Sequence, residues 1–170
     1  GDLPYNEVNS IMRARDNLMW IGMLGGGVCK IQTAGMKFEF NRLDPVRARF
    51  NTSSVRSMYY IGEGEYWLGL LDFGLIRDNT RSGRIVSYRE HPDLCVLPYT
   101  STVNAIIRRN ATSELCFATW SSGVWCYDEK RHRVRQINRN TLPLFADDCV
   151  LALREDPDGN LWIGSRSGIY

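Results

Sequence analysis

The stretch NLMWIGMLGGGVCKI, at positions 17–31, is followed at the other end of the chain by a close copy, NLWIGSRSGIY, at positions 160–170. Between them the phrase returns as EYWLGLLDFGLI at 65–76 and, more altered, as ELCFATWSSGVW at 114–125. Four copies of one phrase in a chain of 170 residues indicate an internal repeat. A repeat of this kind indicates the architecture of the fold more strongly than any single motif.

A valine-led apolar segment precedes each copy of the phrase. These segments start at Val8, Val55, Val103 and Val150, so successive starts are 47, 48 and 47 residues apart. The central aromatic position of the phrase is filled in turn by Trp20, Trp67, Cys116 and Trp162. The spacing predicts one domain over 1–170 that contains units at about 8–54, 55–102 and 103–149 and a truncated unit at 150–170.

Each unit has the pattern of four short strands. The valine segment and the W-I-G phrase are rich in branched and aromatic side chains, which favour strands. A glycine then leads a third strand, as in GVCKI at 27–31, and a fourth follows, as in RVRQI at 133–137. No segment between them carries the apolar stripe of a helix. The chain is therefore predicted to be all-β, a β-propeller fragment of about 3.5 to 4 four-stranded antiparallel blades from a propeller of about seven.

Composition excludes several other classes of protein. The net charge of +2 comes from 21 basic and 19 acidic residues that are interspersed, so no basic patch indicates nucleic-acid binding. No apolar run is long enough to span a membrane, and the first residues given lack the basic and apolar regions of a secretion signal. The five cysteines are an odd number without CxxC or close histidine spacing, which argues against zinc and against a complete disulfide framework. We expect no metal, no cofactor and no nucleic-acid partner.

The first and last units, VNSIMRARDNLMWIGMLGGGVCKI and VLALREDPDGNLWIGSRSGIY, resemble the two-component regulator propeller repeat. That repeat runs V-x-x-I, an acidic or Asp-Gly turn, L-W-I-G-T and a glycine-led strand. The resemblance is weakest in the third unit, where Cys116 and Ala118 replace the tryptophan and the glycine. It implies the periplasmic sensor region of Bacteroidetes hybrid two-component systems, in which two propellers precede an immunoglobulin-like domain, a membrane helix and a histidine kinase. It also implies a carbohydrate or its breakdown product as the ligand and a membrane-anchored parent protein. We expect no enzymatic activity in this segment, because it carries no catalytic motif.

Blade geometry predicts where a ligand would bind. In an up-and-down blade, the turn between the second and third strands lies at the same end as the connection into the next blade, so these loops build one face. We predict a ligand site there, formed by Trp120, Asp72 and Arg166. An indole offers a flat surface to a sugar ring, and a carboxylate and a guanidinium supply directional hydrogen bonds. The alternative is that Trp120 packs against the neighbouring blade.

The recurring tryptophans are predicted to be core residues instead. Because Trp20, Trp67 and Trp162 stand at the centre of a strand in their units, they indicate packing between blades, and Trp67 and Trp162 should matter first for stability. Two other functions stay open, a structural or protein-docking module and, with less support, a glycan-active enzyme. No catalytic motif supports the enzyme alternative, because the two histidines belong to no repeated cluster. A glycosidase also needs two carboxyl groups at a set separation, and a sequence cannot show that separation.

The ends of the repeat array lead to a last expectation. The fourth unit stops at Tyr170, inside its third strand. An uncovered blade exposes an apolar face and an unpaired strand edge, and both favour association. We expect self-association, with a two-fold homodimer that completes a ring as its specific form. The alternative is an open arc cut from a longer sensor.

Overall fold

The computed structural model describes residues 7–13, 18–24, 27–32, 37–41, 54–79, 81–97 and 102–170. These residues form four antiparallel sheets, and within each sheet the strands follow one another in chain order. The predicted all-β fold of propeller blades is confirmed. Two single 3-10 turns, at Tyr88–Glu90 and Leu94–Val96, are the helical segments of the described part. Neither has the length that a helix needs to cross a membrane.

The strands coincide with the repeated phrases. The first sheet contains Val8–Arg13 (β1), Leu18–Met23 (β2), Gly27–Gln32 (β3) and Lys37–Asn41 (β4). The second contains Val55–Gly62 (β5), Glu65–Leu70 (β6), Gly74–Asn79 (β7) and Arg84–Ser87 (β8). The third contains Val103–Arg108 (β9), Leu115–Thr119 (β10), Val124–Asp128 (β11) and Arg133–Ile137 (β12). The fourth has three strands, Val150–Glu155 (β13), Leu161–Ser165 (β14) and Gly168–Ile169 (β15).

The first strand of every sheet contains a bulge directly after its valine. In β5 the pairing with β6 shifts between Val55 and Ser57, and the other three first strands shift at the same position. A bulge leaves one residue out of the ladder and can turn its side chain away from the strand's own sheet. In β9 that residue is Asn104, whose Nδ2 donates to the carbonyl of Val150 in the next sheet at 2.8 Å. The bulge therefore helps to join consecutive sheets.

A glycine in the second strand receives the valine of the next sheet. An ideal Cβ built on Gly69 would lie 2.5 Å from the carbonyl oxygen of Val103, and one built on Gly22 would lie 3.0 Å from that of Val55. The Ser57 hydroxyl also donates to the Val103 carbonyl, at 3.2 Å. The repeated glycine is thus required by close backbone approach between blades.

Two of the three repeated tryptophans are buried between sheets. The ring of Trp20 lies 4.5 Å from that of Tyr66 in the second sheet, and the fully buried Trp67 lies 5.9 Å from Phe117 in the third. Trp162 is 50% exposed, and its Nε1 donates to Asp156 at 2.8 Å. The prediction of a buried core role for Trp162 is wrong for this chain. Its covering surface would have to come from a fifth sheet.

A disulfide takes the tryptophan position in the third unit. Trp20 and Trp67 pair across the sheet with Lys30 and Arg77, whereas Cys116 pairs with Cys126. The Cα atoms of these cysteines are 4.1 Å apart and their sulfurs are bonded. We call this bond the cross-strand disulfide. Cysteine counting does not reveal it, because the pairing depends on strand register; the remaining three cysteines are free.

Candidate functional site

A repeated hydrogen bond fixes the turn between the second and third strands of each unit. In every unit, the first turn residue donates its backbone N–H to the carbonyl of the residue that precedes the first-strand valine. The pairs are Leu24 to Glu7 at 2.9 Å, Leu71 to Ser54 at 2.9 Å, Trp120 to Thr102 at 3.2 Å and Arg166 to Cys149 at 3.1 Å. These turns and the starts of the first strands therefore lie at one end of the sheets. We call this surface the loop face.

Trp120 lies on the loop face with its side chain 48% exposed. Its turn is held by Thr119, which is buried and whose hydroxyl donates to the Gly123 carbonyl at 2.8 Å and accepts from the Ser122 amide at 3.0 Å. Gln136 Nε2 also donates to the Ser122 carbonyl, at 2.8 Å. A rigid turn thus presents a half-exposed indole to solvent, which is the arrangement that stacking on a planar or ring-shaped ligand needs.

Asp72 occupies the equivalent turn of the second unit. Its backbone has a φ of +67°, a left-handed conformation in which aspartate and asparagine are favoured over other side chains except glycine. The side chain is exposed, and so is that of its neighbour Phe73. Phe73 is a residue that the sequence analysis missed. Its signal is an aromatic side chain at a turn position where the other units have a glycine or a serine.

Arg166 occupies the turn of the fourth unit and is already paired. Its Nε lies 3.2 Å from Oδ2 of Asp147, and Oδ1 of Asp147 accepts from the Cys149 amide at 2.9 Å. These contacts hold the pKa of Asp147 below its ordinary value, the Cys149 hydrogen bond most of all. A ligand that approaches Arg166 would therefore meet a neutralised ion pair whose outward side is still exposed.

The three predicted residues share one face but stand on three consecutive units. No hydrogen bond or ion pair joins Trp120, Asp72 and Arg166 to one another in the described part of the chain. A ligand that contacts all three must therefore reach across consecutive sheets. This arrangement suits an extended ligand that crosses several blades better than a small molecule enclosed in a cavity.

Grooves also lie away from the loop face. One, with a volume of about 510 Å³, is lined by Glu65, Arg77 and Asn79 at the opposite end of the second sheet and by His91 from the segment that follows the sheet. Three of its polar groups pair with one another, since Glu65 accepts from Arg77 at 2.7 Å and from Asn79 at 2.9 Å. These three groups are therefore already occupied by one another.

The described residues give little support for a metal site or for a glycosidase acid. Glu114, Cys116 and Cys126 bring three potential metal-ligand atoms within 4.8 Å, but both sulfurs belong to the cross-strand disulfide and Glu114 pairs with Arg135 at 2.7 Å. Where a carboxyl pKa is shifted, it is lowered. Glu155 is an example: burial of its side chain alone would raise its pKa, but hydrogen bonds from the Asn110 and Ala111 amides and from Arg109 together lower it. A glycosidase acid needs a raised pKa.

Two stretches of the chain, residues 2–25 and 144–167, match the family described as two component regulator propeller. The two matches fall on the first and last units. The resemblance predicted from sequence is confirmed at the units where it is strongest. No curated protein matches the chain.

Solved structures share the fold at low sequence identity. The extracellular domain of BT4673, a proposed hybrid two component system of B. thetaiotaomicron, is 20% identical with a TM-score of 0.74, and the match covers 98% of this chain and 21% of that one. The corresponding domain of BT3049 from the same organism is 20% identical with a TM-score of 0.69, covering 98% and 20%. The WD40 β-propeller domain of Doa1 is 13% identical with a TM-score of 0.66, covering 95% and 49%. The chain thus spans about a fifth of the length of the two sensor structures.

Proposed function

We propose that this chain is a ligand-recognising segment of an extracytoplasmic sensor of the two-component type, and that its loop face binds a carbohydrate. The two component regulator propeller repeats at both ends support the sensor role. The structural likeness to extracellular domains of proposed hybrid two component systems supports it as well. On this proposal the histidine kinase and the membrane anchor belong to other parts of a longer protein.

The observation that carries the ligand proposal is the half-exposed Trp120 on its hydrogen-bonded turn. Buried tryptophans elsewhere in the repeat stabilise blade contacts, but this indole lies outside the strands and outside those contacts. Phe73 adds a second exposed aromatic side chain to the same face. Aromatic surfaces flanked by a carboxylate and a guanidinium are the chemical groups that recognise the apolar faces and hydroxyls of sugars.

The proposed location is the periplasm. The cross-strand disulfide supports it, because disulfides persist in oxidising compartments and are rare in the cytosol.

Calorimetric titration of the chain with neutral and acidic oligosaccharides tests the proposal. Trp120→Ala should weaken binding roughly tenfold or more, equivalent to about 1.4 kcal/mol. Trp162→Ala is the matched control, since Trp162 is equally exposed but lies on a sheet face, and it should leave the affinity unchanged. Absence of binding to every oligosaccharide, or equal binding by Trp120→Ala, would contradict the carbohydrate proposal. Binding of a protein partner through the same face would then favour the docking module.

A further inference from the structure

Two arginine–aspartate pairs lie on the loop face beside the connection between the third and fourth sheets. Arg139 Nε donates to Asp148 Oδ2 at 3.0 Å. Arg166 Nε lies 3.2 Å from Oδ2 of Asp147, the residue before Asp148. The pKa of Asp147 is lowered most by the hydrogen bond from the Cys149 amide and further by the charges of Arg166 and Arg139. Both guanidinium groups therefore lie near the same two adjacent carboxylates.

The turn that carries Trp120 is bonded to the same connection. The Gly123 amide donates to the Asp148 carbonyl at 2.8 Å, and the Arg139 amide donates to the Asp148 side chain at 2.9 Å. Asp148 thus fixes the Trp120 turn through its backbone and Arg139 through its side chain. The indole and the two guanidinium groups belong to one part of the loop face, which we call the donor region (Trp120, Arg139 and Arg166).

In both ion pairs the arginine is the exposed partner. The side chains of Arg139 and Arg166 are 63% and 72% exposed, whereas those of Asp148 and Asp147 are 19% and 21% exposed. The positive member of each pair therefore lies on the outside. A ligand that approaches from solvent meets the guanidinium groups before it meets the carboxylates.

The unused hydrogen-bonding capacity of the donor region is on the donor side. The side chains of Arg139 and Arg166 each donate through Nε alone, so their terminal Nη groups have no partner within the described part of the chain. The indole N–H of Trp120 also has no partner among the residues that the structure describes. All four oxygen atoms of Asp147 and Asp148, in contrast, already accept a hydrogen bond. A ligand that fits this region must therefore supply acceptors.

We infer that the donor region binds the carboxylate or sulfate group of an acidic oligosaccharide, with Arg139 and Arg166 on the anion and Trp120 against an adjoining sugar ring. The inference rests on the proposed carbohydrate-binding function of the loop face and specifies its ligand class. A guanidinium presents its N–H groups as a planar fork that matches two oxygens of one anion. A neutral sugar supplies only hydroxyl acceptors, which bond less strongly to a charged donor than an anion does. Arg139 is thus a further specificity-determining residue.

Calorimetric titration with two matched pairs of ligands tests the inference. Tetragalacturonate and its methyl ester differ in their carboxylate charges, and sulfated and unmodified isomaltotetraose differ in their sulfate groups, so the two pairs distinguish which anion is recognised. At least one acidic ligand should bind roughly tenfold or more tightly than its neutral counterpart. Its affinity should fall as salt is added, because salt screens exposed charges.

Substitution of Arg139 tests its role. Arg139→Gln should weaken binding of the acidic ligand roughly tenfold and leave binding of the neutral counterpart unchanged. Arg131→Gln is the matched control, because Arg131 pairs with Asp128 and is 74% exposed but lies at the opposite end of the third sheet, and it should change neither affinity. The double variant Arg139→Gln/Asp148→Asn removes the partner carboxylate as well. It should still bind the acidic ligand more weakly than the wild type, because the guanidinium fork is missing.

The possible outcomes separate this inference from the broader proposal. Binding of neutral oligosaccharides as tightly as their acidic counterparts overturns the inference and leaves the carbohydrate proposal standing. Absence of binding to these four ligands and to every other oligosaccharide overturns both. Equal losses in Arg139→Gln and Arg131→Gln, or wild-type affinity in the double variant, overturn the role of Arg139. Near-UV circular dichroism verifies that each variant is folded.

Discussion

The substitution Gly69→Ala should destabilise the protein far more than Gly164→Ala, although both change the same position of the repeat. At Gly69 a Cβ would lie 2.5 Å from the Val103 carbonyl oxygen and would also clash with the Ser57 hydroxyl. At Gly164 the nearest atom would be the Cβ of Ala152, at an ordinary contact distance of 3.4 Å. Neither glycine has a positive φ, so the difference arises from packing between sheets and not from backbone strain.

The expected size of the effect follows from these contacts. Overpacking usually costs about 1–3 kcal/mol, and a backbone carbonyl cannot move aside as a side chain can, so Gly69→Ala should lower the free energy of unfolding by about 2–3 kcal/mol or more. Gly164→Ala should raise it by about 0.5 kcal/mol, since glycine in a strand is less favourable than alanine. Urea denaturation followed by tryptophan fluorescence, in solution dilute enough to exclude self-association, measures both. Equal effects of the two substitutions would refute the account of blade packing.

The third unit provides an internal comparison for this prediction. It has Ala118 at the glycine position and Ala105 where the second unit has Ser57, and Ala118 is fully buried. The double variant Ser57→Ala/Gly69→Ala copies this pair. It should lose less stability than the sum of the two single variants, because removal of the hydroxyl relieves one of the two clashes.

Three further results are expected. Trp67→Ala should cost about 3–5 kcal/mol in urea denaturation and Trp162→Ala less than about 1 kcal/mol, and equal costs would contradict the difference in burial. Reduction of the cross-strand disulfide, which spans 10 residues, should lower the free energy of unfolding by roughly 2–3 kcal/mol, and an unchanged midpoint would contradict its formation. The hydrogen bond and the charge of Asp93 raise the pKa of His132. The contact therefore stabilises the fold fully below the ordinary histidine pKa of 6.5, and this stabilisation is lost as the pH rises through the raised pKa of His132. In an NMR titration, Asp93→Asn should lower the pKa of His132 towards 6.5, and an unchanged value would exclude the contact.

The strands could be predicted from sequence because the residues that repeat are the ones that pack between blades. Valine and glycine recur where one sheet meets the next, so their spacing follows the geometry of the contact. Exposure of Trp162 could not be predicted from the same pattern, because a repeat identifies the positions that face a neighbour but not whether the neighbour is present. The 3-10 turns after β8 were also missed. They are too short to give a periodic signal.

The candidate site was predicted only in part. The equivalence of the four turn positions is visible in the repeat, and the four matching backbone hydrogen bonds agree with it. The partner of Arg166 was not predictable, because Asp147 lies 19 residues away in the connection between sheets and its approach depends on that connection's path. The same holds for the cross-strand disulfide, which depends on the register of β10 and β11.

Hydrogen-exchange mass spectrometry with and without a bound oligosaccharide tests the central claim most directly, because it locates the ligand on the molecule. The account predicts slower exchange at the turns 71–73, 120–122 and 166–167 on the loop face, with the hairpin turns at the opposite end of the sheets unchanged. Protection confined to the opposite-end turns at 81–84 and 128–133, or unchanged exchange across the loop face while the ligand is bound, would contradict it.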